Sequence, residues 1–127
     1  MSMKKAMSAP YQKKTAKQCT MLAVEPGVIT RIYIEEALHA IGVIDFACSG
    51  REALENTRHN SYDIVLINLR LPDIRGELVA RLMRARQNHA ILIATSAEFT
   101  DIPFPFDAFI SKPLTRRKLL EAIKELL

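Results

Sequence analysis

Five short runs, apolar at nearly every consecutive position, decide what this chain can become. They are Thr20-Met-Leu-Ala-Val24, Val43-Ile-Asp-Phe-Ala47, Ile64-Val-Leu-Ile67, Ala90-Ile-Leu-Ile-Ala94 and Ala108-Phe-Ile110. A strand with one face in water alternates apolar and polar residues, whereas a run without alternation is a strand buried on both faces. Between the runs, apolar residues recur at three-and-four spacing: Ile34, Ala37, Leu38 and Ile41; Leu78, Val79, Leu82 and Met83; Leu119, Ile123 and Leu126. Those are helical faces. Ser49-Gly-Arg-Glu52 reads as a capping box opening a further short helix, and Thr115 as the N-cap of the last one. Buried strands joined by helices require a parallel sheet covered on both sides, because right-handed crossovers lay the helices over it. The class is α/β, doubly wound.

One unit departs from the pattern. Between Ala94 and Ala108 a βα unit should carry a helix, yet the stretch contains Pro103 and Pro105. Proline lacks an N–H, and its preceding residue, here Ile102 and Phe104, is pushed away from the helical region. The fourth helix is therefore expected to be shortened or missing, with Phe104 and Phe106 folding back over the sheet.

The 127 residues suffice for one domain. The net charge of +4 belongs to a tail: Lys4, Lys5, Lys13, Lys14 and Lys17 stand in a segment without acids, and the other thirteen basic residues are outweighed by fourteen acidic ones. Residues 1–18 read as a basic extension and residues 19–127 as the domain. Cys19 and Cys48 form no metal or disulfide pattern, which suggests a reducing cytoplasm. No apolar run is long enough for a membrane span. His39, His59 and His89 have no nucleophile at motif spacing, and no G-x-G-x-x-G follows the first strand. Arg75, Arg81, Arg84 and Arg86 on the third helix, and Arg116, Arg117 and Lys118 on the last, read as solvated faces or docking positions.

In an open parallel sheet, functional groups gather beyond the carboxyl ends of the strands. That rule selects Glu25 with Pro26 after the first run, Asn68 after the third, Thr95 with Ser96 after the fourth, and Lys112 with Pro113 after the fifth.

Five segments in this order carry a family resemblance: Met21-Leu-Ala-Val-Glu-Pro26, Ser49-Gly-Arg-Glu-Ala-Leu54, Tyr62-Asp-Ile-Val-Leu-Ile-Asn-Leu-Arg-Leu-Pro-Asp-Ile-Arg-Gly76, Ile93-Ala-Thr-Ser96 and Phe109-Ile-Ser-Lys-Pro113. The chain from about Cys19 to Leu127 resembles the receiver domains of bacterial two-component response regulators. The resemblance implies a flavodoxin-like, five-stranded parallel sheet of order 2-1-3-4-5. It also implies a phosphorelay site in which an acid pair holds magnesium, an aspartate accepts phosphate, and a hydroxyl and a lysine contact it. Thr95 and Lys112 match the hydroxyl and lysine, Phe109 matches the aromatic switch position, and Pro72 and Gly76 match the loop after the acceptor. The departures fall on the chemistry: Asn68 stands at the acceptor position, and Glu25 and Pro26 stand at the acid pair.

An amide oxygen is too weak a nucleophile for acyl-phosphate formation. Magnesium asks for octahedral oxygen ligands with one or two carboxylates, and only Glu25 remains as a weak candidate ligand. The expectation is a pseudo-receiver with no enzymatic activity and no cofactor, in which Lys112, Glu25 and Asn68 form a fixed network. It would act on a protein partner, with a homodimer as one form and Phe104 and Phe106 as interface candidates; neither membrane insertion nor nucleic-acid binding is expected. A rival reading makes the Lys-rich arm an adaptor for nucleic acid or another anionic partner. Another makes the chain a receiver cut from a longer hybrid kinase or response regulator.

Overall fold

The computed structural model describes residues 19–87, 89–98 and 105–127. Strands β1 (Cys19–Val24), β2 (Gly42–Ala47), β3 (Ile64–Asn68), β4 (Ile91–Ser96) and β5 (Ala108–Ser111) form one sheet in the order β2-β1-β3-β4-β5. Every neighbouring pair is parallel. Four helices are present among the described residues: α1 (Val28–Leu38), α2 (Gly50–His59), α3 (Gly76–Arg86) and α4 (Arg116–Leu126).

The absence of alternation in the strands has a direct cause in the two cores they separate. Leu22, Val24, Val65, Ile67, Leu92 and Ala94 face Ala53 of α2 and Val79, Ala80 and Met83 of α3. Their neighbours Met21, Ala23, Ile64, Leu66 and Ile93 face Ile34, Ala37 and Leu38 of α1 and Leu119 and Ile123 of α4. In β1, β3 and β4 each residue step therefore moves from one core to the other, while the edge strands β2 and β5 keep part of their surface in solvent, Val43 being 61% exposed.

Helix ends follow the sequence signals. The Ser49 hydroxyl accepts from the Glu52 N–H at 3.1 Å, and the Thr115 hydroxyl from the Lys118 N–H at 3.1 Å. Glu52 reaches back one residue further than in a capping box, accepting the Cys48 N–H at 2.6 Å. The rotation of α3 is a correction: Leu78 and Leu82 are exposed, and the buried stripe is Val79, Ala80 and Met83. Gly76 sets it. A Cβ there would come within 2.6 Å of the Asn68 carbonyl oxygen and 2.8 Å of the Leu69 Cα, so the helix start lies directly on the β3 exit.

β4 connects to β5 through residues 97–107, and none of the described ones is helical. Phe106 is only 8% exposed and joins the cluster of Met83, Ala90 and Leu92. It closes the sheet rather than presenting itself to a partner, which withdraws it as an interface candidate; Phe104 lies outside the described residues. Arg84 holds the exit of this connection, donating to the carbonyls of Ala90 at 2.7 Å and Pro105 at 3.1 Å and to the Asp107 carboxylate at 2.9 Å. Arg86 likewise donates to the Leu54 carbonyl, and Lys118 to the Ser111 and Pro113 carbonyls. These cations are internal ties, not members of a free docking face. The basic segment 1–18 is outside the described residues. No described helix is long and apolar enough to cross a membrane.

Candidate functional site

Parallel order brings the carboxyl ends of β1, β3 and β5 to one edge of the sheet, with Glu25, Asn68 and Lys112 at the strand exits. They bound a cleft of about 640 Å³, also lined by Pro26, Gly27, Thr30, Arg70, Ser96, Ala97 and Glu98. Glu25 is 3% exposed. A carboxylate this deep persists as a charge only with donors around it, and it has three. Glu25 Oε1 takes the Lys112 ammonium at 3.0 Å and the Asn68 amide Nδ2 at 3.2 Å, while Oε2 takes the Gly27 N–H at 2.9 Å. The turn carrying it is held from α1, whose Arg31 donates to the Glu25 and Pro26 carbonyls at 2.8 and 3.0 Å.

Asn68 uses both ends of its amide. Nδ2 donates to Glu25, and Oδ1 accepts the Arg70 N–H at 2.9 Å. One donor and one acceptor are required, which an amide supplies and a carboxylate does not. A carboxylate at this position would set acceptor against acceptor beside Glu25. The site as folded is internally paired: its buried anion is neutralised by its own cation, and its amide is engaged at both ends.

The sequence-derived positions divide into two groups. Glu25, Pro26, Asn68 and Lys112 line the cleft. Thr95 pairs with Asn68 across β3 and β4, but its side chain is buried, does not line the cleft, and makes no hydrogen bond to a described residue. Ser96 lines the cleft in its place and accepts the Glu98 N–H at 3.1 Å. Phe109 is partly buried and packs against the core beneath β4. Three participants were missed from sequence: Arg31, and the pair Arg70–Glu98, 3.1 Å apart and exposed at the cleft mouth. No motif marks them, because each acts through a contact made in the folded state. Asp73 was also missed as a tie between segments. It accepts the Gly50 and Arg51 N–H groups at 2.9 Å each, and these donors hold its carboxyl below the usual carboxylate range.

A divalent cation tests the same geometry. Pro26 has no side-chain oxygen, both Glu25 oxygens are engaged by internal donors, and Asn68 Oδ1 is taken by a backbone N–H. Magnesium would have to displace the Lys112 ammonium from the one buried carboxylate, since the other carboxylate of the cleft, Glu98, stands exposed at its mouth and is paired with Arg70. The donor set does not fit it.

A family model described as the response regulator receiver domain matches residues 21–124. The response regulator ArlR of Staphylococcus saprophyticus is 32% identical over 89 residues, covering 66% of this chain and 40% of the relative. The hybrid signal transduction histidine kinase L of Dictyostelium discoideum is 30% identical over 120 residues, covering 83% of this chain and 7% of the kinase. The chain thus spans less than half the length of these curated relatives. Among solved structures, the chemotaxis response regulator CheY4 of Vibrio cholerae aligns with a TM-score of 0.80 at 18% identity, covering 87% of this chain and 99% of its own. The response regulator TrrA of Thermotoga maritima, solved in complex with Mg(2+)-BeF, aligns with a TM-score of 0.78 at 29% identity, covering 87% and 100%.

Proposed function

This chain belongs to the response regulator receiver domain family, and on that premise we propose that it is a pseudo-receiver: a member that takes no phosphoryl group at residue 68 and signals by contact with a protein partner. It is not an enzyme in this reading, and it needs neither magnesium nor another cofactor. The observation that carries the proposal is the double engagement of Asn68, donor to Glu25 and acceptor from Arg70, beside a Glu25–Lys112 ion pair. Phosphoryl transfer to this position would need an ionised oxygen with a free lone pair aimed at phosphorus. The amide oxygen is neutral, and it already accepts the Arg70 N–H. An incoming phosphoryl group also gains from a cation that is not already spent, and here the Lys112 ammonium lies on a buried carboxylate. A receiver fold held in one arrangement by its own residues retains surface as its means of communication.

The test is incubation of the chain with an acyl-phosphate donor and magnesium, followed by intact mass measurement. No phosphoryl adduct is expected on the native chain. An adduct that disappears in Asn68→Ala would overturn the proposal, as would saturable magnesium-induced shifts of the Glu25 and Lys112 NMR signals at low millimolar metal.

A further inference from the structure

The rotation of α3 that buries Val79, Ala80 and Met83 turns Leu78, Arg81, Leu82 and Ala85 outward. These four stand at positions i, i+3, i+4 and i+7, which share one face of a helix. Leu78 is 49% exposed and Leu82 41%, and Ala85 beside them is exposed and adds only a methyl group. Two leucines one turn apart next to a small residue make a shallow apolar seat, the kind of surface that the side chains of a docked helix fill.

The free charge around this seat has one sign. From Arg75 to Arg86 the chain has four arginines and a single acid, Glu77, although residues 19–127 as a whole hold thirteen basic residues against fourteen acidic ones. Two of the four arginines are spent inside the fold: Arg84 on the Asp107 carboxylate, and Arg86 on the Leu54 carbonyl and the Thr57 hydroxyl. The other two face solvent. Arg75, at the start of the helix, has a side chain 86% exposed and meets Glu77 only at 3.8 Å. That pair lines a groove of about 360 Å³ whose other two charges, Arg70 and Glu98, are joined at 3.1 Å. Arg81, within the leucine face, makes no ion pair or hydrogen bond with a described residue. Neighbouring segments supply no unspent acid: Glu52 takes the Cys48 N–H, Glu55 takes Arg58 and His59, and Asp73 takes the Gly50 and Arg51 N–H groups.

These charges select the occupant. A second copy of the same face would set Arg75 and Arg81 against their like, with only the already paired Glu77 to answer them. Nucleic acid would be drawn to the arginines but would gain nothing from Leu78 and Leu82. A helix with apolar residues on one side and carboxylates beside them satisfies both kinds of group. We propose that the outer face of α3 docks an acidic amphipathic helix of a partner protein, whose apolar side chains seat on Leu78, Leu82 and Ala85 and whose carboxylate pairs with Arg81. The inference rests on the reading of this chain as one that works by contact with a protein. A phosphoryl adduct at Asn68 would strike that reading and leave the α3 surface to be judged by its own titration, whereas a failed titration strikes this surface alone.

The experiment is an NMR titration of the full ¹⁵N-labelled chain with three probes: a helix-forming peptide of Leu and Glu with its leucines at three-and-four spacing, the same peptide with Lys for Glu, and a single-stranded oligonucleotide. The Leu/Glu peptide is expected to shift the Leu78, Arg81, Leu82 and Ala85 amides saturably, and the Leu/Lys peptide to leave them in place. Arg81→Glu, and separately Leu78→Ser with Leu82→Ser, are each expected to weaken the Leu/Glu peptide at least about tenfold. Arg81→Glu should in addition gain affinity for the Leu/Lys peptide. Circular dichroism checks that the variants fold, and if the double leucine variant does not, Arg81→Glu and the pair of peptides still decide. The proposal is overturned by a native chain that shows no saturable shift at the highest Leu/Glu peptide concentration reached, by shifts confined to another face, or by binding that survives in the folded variants. Oligonucleotide binding at the same amides that matches the peptide and ignores the leucine substitutions also overturns it, and makes the face a polyanion site.

Discussion

Replacing Lys112 by Met keeps the side chain's length and removes its charge, which isolates the contribution of the ion pair at the cleft. In the native chain Glu25 is 3% exposed and the Lys112 side chain 21% exposed, with 3.0 Å between Nζ and Oε1. Removing one partner of a fully buried pair costs about 3–5 kcal/mol, because the other charge remains buried alone. Two features lower that figure. Lys112 keeps a fifth of its side chain in solvent, and Glu25 keeps the Gly27 N–H and the Asn68 amide as donors. The expected loss is about 2–3 kcal/mol at neutral pH, or about 10 °C in melting temperature for a domain of this size. Urea and thermal denaturation followed by circular dichroism measure it. The companion variant Glu25→Gln/Lys112→Met removes both charges and should recover at least about 1 kcal/mol of the single variant's loss. A loss for Lys112→Met below about 1 kcal/mol, the range of solvent-exposed pairs, would refute the view that the Glu25 charge is held by the protein rather than by water.

Gly76→Ala should cost about 2–3 kcal/mol in urea denaturation, since the added Cβ meets backbone atoms at 2.6 and 2.8 Å that cannot rotate aside; a loss under about 0.5 kcal/mol would mean that α3 slides freely on the β3 exit. For Asp73→Asn the effect depends on pH. The native carboxyl is held low by the Arg51 and Gly50 N–H groups, so its contribution is complete above the unfolded value near 4 and fades as pH falls through the lower folded value. The stability gap between native and variant should be constant from neutral pH down to about 5 and close below about 4. Urea midpoints across that range check it, and a gap unchanged in acid would argue against the cap.

How much of this was legible beforehand depends on how local each cause is. The five consecutive apolar runs announced buried strands because each residue of a doubly covered strand meets a core, as Leu22 and Ala23 do on opposite faces. Ser49 and Thr115 announced helix starts because a cap is satisfied within three residues. Glu25, Asn68 and Lys112 could be selected from the rule for strand ends. Helix rotation was not legible: Leu78 and Leu82 fit the periodicity as well as Ala80 does, and only the approach of Gly76 to the Asn68 backbone decides between the faces. Nor did the sequence separate Thr95 from Ser96 at the end of β4, where one residue step changes which side chain reaches the cleft. Arg84 looked like a solvated helical cation and Arg31 carried no signal at all, because their acceptors are main-chain oxygens, and composition does not show a carbonyl left open elsewhere.

The Glu25–Lys112 contact joins the exits of the first and last strands of the sheet. During synthesis the acid emerges from the ribosome long before the base that will neutralise it exists. Contacts between such distant parts of a sequence carry a large loop-closure cost before they contribute. The cleft is therefore complete only when β5 is in place: a chain that lacked that strand would also lack the ammonium that neutralises Glu25 and one wall of the cleft.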